Sequence, residues 1–202
     1  MDAFWSGFVD LIAEPHRIRE VEEAVRFAPL GRALLHINQE SKSVHGSELP
    51  ETSSLFWTSK CDLWELRKDL DTWDPDEMEA TAQDSEAAAA CYIDLFPRSA
   101  PPVSRSLYDA WQDAERSAKS LALAMRGKKL SCSRADFTVR SAATTDRHGF
   151  GITVYLAACG LDRAASFGAL EAALQVLTET LDEFSSADCS GINSRYNSDM
   201  GE

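Results

Sequence analysis

Two alternating stretches and a helix with an unbroken apolar stripe, all within residues 134–184, constrain this chain more than any other feature. In 134–141, Ala135, Phe137 and Val139 fall on one face and Asp136, Thr138 and Arg140 on the other. That is the period of a strand with one side buried. Residues 151–157 repeat it, with Ile152, Val154 and Leu156 inward and Thr153 and Tyr155 outward. The link 142–150 carries Asp146, Arg147, His148 and Gly149, which suits a hairpin loop. The pair is therefore antiparallel, since a parallel pair needs a longer crossover. Gly160 ends the second strand and Asp162 is placed to cap a helix. In that helix Phe167, Leu170, Leu174, Leu177, Leu181 and Phe184 recur at spacings of three and four. Such a stripe must be covered, and the inward face of the hairpin is the nearest apolar surface. Each Leu or Phe buried there contributes roughly 1.5–3 kcal/mol.

The remainder of the chain reads less sharply. Phe4, Phe8, Leu11 and Ile12 mark a short helix, and Pro15 opens a second one with Ile18, Val21 and Val25 inward. Pro29 and Gly31 are expected to stop it, and 32–38 reads as a covered strand. Residues 39–53 read as a loop, or as a weak edge strand around 43–49, and 54–66 as a long strand. Asp74-Pro75-Asp76-Glu77 has the form of a helix start, and the helix is expected to run to about Phe96. A hinge is expected at 97–103, a helix at 104–126, and a disordered polar tail at 185–202. The expectation is a single α+β domain over 1–184 with the order α-α-β-β-α-α-β-β-α. Its antiparallel sheet has about four to five strands in two hairpins, with helices mainly on one face. Helix, strand, strand, helix is expected over 15–96 and again over 104–184, which suggests a pseudo-repeat. The element order and the acidity resemble the secretion-chaperone-like fold of small acidic α+β proteins. That resemblance, at the level of the fold, implies a client or a toxin as partner.

Charge narrows the function. Across 202 residues the formal net charge is −13. That disfavours non-specific nucleic-acid binding, which needs Lys and Arg to neutralise phosphates, and disfavours an anionic membrane surface. It suits a basic protein partner. No apolar run approaches the roughly 20 residues of a membrane span. The N-terminus lacks the form of a signal peptide, so a cytoplasmic location is expected. The five cysteines are far apart and form no CxxC pair. GxGxxG, GxxxxGK[ST], HExxH and GxSxG are all missing, and His and Cys show no ligand spacing. No cofactor and no metal are expected.

The residues that remain as candidates lie on the outward side of the strands. Phe56, Lys60, Asp62, Trp64, Arg140 and Tyr155 share that parity, joined by Thr58, Asp136, Thr138 and Thr153. Aromatic and Arg side chains on a mixed polar surface are what dominates protein interfaces. The acidic run with Asp71, Asp74 and Asp76 adds a steering field. The leading expectation is a non-enzymatic, cytoplasmic partner-binding protein, such as an immunity or inhibitor protein or a dedicated chaperone. The alternative is an enzyme or ligand-binding protein with a pocket between sheet and helices. There Cys61 would be the nucleophile and His36, on a paired strand, the base. In a third reading the outward aromatics form a homodimer seam.

Overall fold

The structure is a computed structural model, and it describes residues 9–39, 56–67, 86–98, 106–128, 130–143 and 148–196. The fold is α+β. A 3-10 helix, Pro15–Glu20, leads into α1 (Glu22–Arg26) and α2 (Ala28–Asn38). Then come β1 (Phe56–Arg67), β2 (Ala87–Pro97), α3 (Leu107–Arg126), β3 (Ser133–Ala143), β4 (His148–Gly160) and α4 (Arg163–Tyr196). The described strands form one sheet in the order β1-β2-β4-β3, and every neighbouring pair is antiparallel. Two hairpins thus meet along the β2–β4 seam.

The second hairpin and the helix after it follow the sequence pattern. Ile152, Val154 and Leu156 are buried under the helices. Asp162 caps α4 by accepting the Ala165 N–H at 2.8 Å. Gly160 is required at the junction. A Cβ there would stand 2.6 Å from the Ser166 nitrogen, so no side chain fits between strand end and helix start. Leu170, Ala173, Leu174, Leu177 and Leu181 are all at most 2% exposed, and α4 packs on β4, β2, α2 and α3. Beyond Phe184 α4 runs on to Tyr196, so the first part of the expected polar tail continues the helix.

The first half differs from the expectation in three places. The helix expected from Pro15 is a 3-10 helix followed by the short α1, and Val25, expected inward, is 65% exposed. Residues 32–38 belong to α2, not to a strand. Pro29 does not end a helix; it lies in the first turn of one, where its missing N–H costs nothing. The residues α2 buries, Leu30, Ala33, Leu34 and Ile37, follow the three-four spacing of a helix. Residues 87–96, expected at the end of a long helix, are the central strand β2. Its four alanines prefer a helix locally. Ala89, Cys91, Ile93 and Leu95 nevertheless alternate into the core at 0% exposure, and that burial decides the outcome. The hairpin partners are therefore β1 and β2, and the repeated order is helix–strand–strand followed by α4. The expected helix start at 74–77 and the rest of the hinge after Arg98 lie outside the described residues.

An irregularity between Thr58 and Cys61 shifts the register of β1 against β2. The extra residue of a bulge reverses the in–out alternation. Before it Phe56 points inward and Trp57 outward; after it Cys61 and Leu63 point inward. The bulge is held by Asn38, which is 2% exposed. Its amide donates to Leu34 O at 2.8 Å and to Thr58 Oγ1 at 2.5 Å, and its oxygen accepts the Thr58 N–H at 3.0 Å. Arg98 binds the same corner. Its guanidinium donates to the carbonyls of Phe56, Ile37 and Gln39, each at 3.0 Å, satisfying the open C-terminus of α2.

Candidate functional site

The main core lies between the sheet and the helices. The opposite face of the sheet carries no described helix. Two of its buried residues, Ala88 and Cys159, form a separate small cluster, with Cys132 and Ala157 packed on it among the described residues. Register places Asp62, Tyr92, Tyr155 and Asp136 in one row across all four strands. The two tyrosines, on the central strands, stand 5.7 Å apart between ring centroids. Trp64 meets Tyr92 edge-on at 5.8 Å. Such tilted and T-shaped arrangements suit the ring quadrupoles.

Cations stand over this row from both sides. Lys60 Nζ lies 5.8 Å from the Tyr92 centroid and the Arg140 guanidinium 5.6 Å from that of Tyr155. Arg140 also donates to the Tyr155 hydroxyl. The Tyr92 hydroxyl, and after it Asp94 and Asp62, holds the Lys60 ammonium above its ordinary pKa. Thr153, buried between the strands, donates its hydroxyl to Asp94 at 2.5 Å. Arg134 pairs with Asp136 at 2.7 Å. Three acids (Asp62, Asp94, Asp136) thus meet three bases (Lys60, Arg134, Arg140) on this face. At one end Trp57 and Phe96 stack at 5.1 Å, with the Phe96 ring lying where a Cβ on Gly151 would be, 2.7 Å from Cε1. This face is mixed in charge and rich in rings; the acidity of the chain lies elsewhere.

Of the residues singled out in the sequence, Lys60, Asp62, Trp64, Arg140 and Tyr155 come together on this face. Phe56 does not. It is 3% exposed, in the main core, with its ring 6.2 Å from that of Phe184, because the bulge reverses the parity of β1. Thr58 turns inward with it, onto Asn38. Asp71, Asp74 and Asp76 lie outside the described residues. Tyr92, at the centre of the row, and Asp94, Phe96 and Trp57 were not foreseen. The signal for the first three was present: Cys91, Ile93 and Leu95 alternate with them as a strand requires.

The alternative pair is not assembled. His36 sits on α2, exposed, with Nε2 2.9 Å from both carboxylate oxygens of Asp182 on α4. Cys61 packs against the core; burial first, then Glu23, Asp62 and Asp94, push its thiol pKa up to about 12. A thiol so desolvated is a poor source of thiolate. The groove beside His36 has a volume of about 240 Å³ and is lined by Pro29, Arg32, Glu171 and Gln175 among others. It is an inter-helix surface groove, bridged by the Arg32–Glu171 pair at 2.5 Å. Among the described residues no group of three or more His, Cys, Asp or Glu is arranged to hold a metal ion. No described helix is long and apolar enough to cross a membrane.

Comparison with protein-family models, with curated proteins and with solved structures gave no match.

Proposed function

We propose that this protein is a non-enzymatic binding protein that occludes a protein partner with the face of its sheet that no described helix covers. The observation that carries the reading is the ring row Trp64–Tyr92–Tyr155, with Lys60 and Arg140 over it, at the middle of a sheet face that no described helix covers. Tyr, Trp and Arg are the residues that concentrate binding energy when desolvated together. The rings are held by their neighbours before any partner arrives, which lowers the ordering cost of association. Division of labour follows from the charge. The face itself is balanced, so it supplies contact and register. The remaining acid, −13 overall and including Asp71, Asp74 and Asp76, supplies the field that steers a basic partner. An inhibitor or immunity protein, or a chaperone masking a client, works in this way.

The test is affinity capture from the native host with the immobilised full chain. Three baits are compared: the unaltered chain, the Trp64→Ala/Tyr155→Ala variant and the groove variant Arg32→Ala. A protein retained by the first and third baits and lost from the second is the expected result, with retention falling as salt rises. A partner lost only from Arg32→Ala, or no specific partner at all, overturns the proposal.

A further inference from the structure

We propose that the protein forms a two-fold dimer by pairing β3 with β3 of a second copy, joining two sheets edge to edge into one. The two ends of the sheet differ. β1 is interrupted by its bulge and tied down at that corner by Asn38 and Arg98. β3 runs for eleven residues without a register shift and pairs only with β4 among the described residues.

The ladder phase fixes which backbone groups of β3 remain unpaired. Cys159 donates its N–H to the carbonyl of Cys132 at 2.9 Å. Residues facing the partner strand alternate with residues facing away. Arg134, Asp136, Thr138 and Arg140 therefore direct their N–H and C=O at β4. Ala135, Phe137, Val139 and Ser141 direct theirs away from β4, a row of donors and acceptors that no described strand pairs and that invites another strand.

The side chains choose a second copy, antiparallel and centred on Thr138, the midpoint of Ser133–Ala143. In that register Thr138 meets Thr138 and Asp136 meets Arg140 twice, by symmetry. Phe137 meets Val139 on the inner side. Moving the centre to Phe137 sets Arg134 against Arg140, moving it to Asp136 sets Asp136 against itself, and moving it to Val139 sets Asp136 against Ala142 and so loses both charge pairs. Thr138, Asp136 and Arg140 occupy the close, non-hydrogen-bonded pairs, where opposite charges stabilise most directly. Phe137 and Val139, whose backbone groups face away from β4, supply the hydrogen-bonded pairs, so ladder phase and charge pattern agree.

The helix layer agrees as well. α3 lies over both β3 and β4. With strands spaced about 4.8 Å apart, the two α3 axes come to lie about 10 Å from each other, the distance of packed helices. Four of the six large apolar side chains exposed among the described residues are on α3: Leu107, Tyr108, Trp111 and Leu123. A mate for α3 gives them cover that the strand edge alone does not provide.

Sedimentation velocity on the full chain tests this, with crosslinking as an independent readout. A concentration-dependent dimer is expected. Asp136→Arg, which places Arg opposite Arg140, weakens it by about 10-fold to 100-fold, and Asp136→Arg with Arg140→Asp restores it. Under mild oxidation Thr138→Cys forms a disulfide-linked dimer, since only this residue meets itself at a bridgeable separation; Arg140→Cys does not. A chain that stays monomeric throughout overturns the proposal. So does a dimer that ignores Asp136→Arg, or one that crosslinks equally through Arg140→Cys.

Discussion

Replacing Asn38 by Ala is the most direct test of how the first hairpin is fixed to the helices. The substitution removes both donations from the side-chain amide, to Leu34 O and Thr58 Oγ1, and the acceptor of the Thr58 N–H. That N–H points to Asn38 and away from β2, so no bond of the β1–β2 ladder replaces it. Leaving a buried donor without a partner costs about 1–3 kcal/mol, but Thr58 is only half-buried, so water recovers part of the loss. Adding the lost bond to the Leu34 carbonyl brings the expected destabilisation to about 2 kcal/mol. With a urea m-value of about 2 kcal/mol/M, the unfolding midpoint falls by about 1 M while m itself stays constant. Urea titration followed by far-UV circular dichroism and by tryptophan emission provides the assay. Thr58→Ala and the double variant complete a cycle, in which the two changes should add to less than their sum. A loss under about 0.5 kcal/mol, or strict additivity, would refute the view that Asn38 holds the bulge.

Three further outcomes are expected. Arg98→Met removes the charged donor shared by three carbonyls, and should cost about 2 kcal/mol and roughly 4–8 °C in thermal midpoint by scanning calorimetry. Gly151→Val drives the Phe96 ring from its place and breaks the Trp57–Phe96 stack. The near-ultraviolet dichroism should change, with a cost of about 1–3 kcal/mol. For Cys61, with its thiol raised to about 12, alkylation at pH 8 should be slow in the folded chain and fast in urea, read by mass spectrometry. The sign of the pH dependence follows. The unfolded chain gives up the thiol proton near pH 9 while the folded chain keeps it, so stability falls from about pH 9 towards about pH 12.

The sequence was most legible where one period excluded the other. In β3 and β4 the apolar residues recur at every second position over a long run, and in α4 at every third and fourth, so both elements and the Asp162 cap could be read directly. The stretch 32–38 was ambiguous because Ala33, Leu35 and Ile37 satisfy the strand period while Leu30, Ala33, Leu34 and Ile37 satisfy the helix period. Burial of the second set settles it. In β2 the alanine run masked an alternation that is clear from Cys91 onward, and with it the central Tyr92. The bulge is a third case. No residue between Thr58 and Cys61 announces it, yet it moves Phe56 into the core and Trp57 out. The candidate face was therefore visible at Lys60, Asp62, Trp64, Arg140 and Tyr155, and its centre was not.

The position of α4 in the chain bears on synthesis. Every other described element precedes it, and its leucines supply much of the lining that Ile93, Leu95, Ile152, Val154 and Leu156 require. A ribosome that has made both hairpins but not yet passed Leu181 holds a ribbon with its greasy side bare. At about 5–20 residues per second that interval lasts about 1–4 s, long enough for a nascent-chain holdase to matter. A message broken ahead of the codon for Leu170 would yield a product unable to close at all.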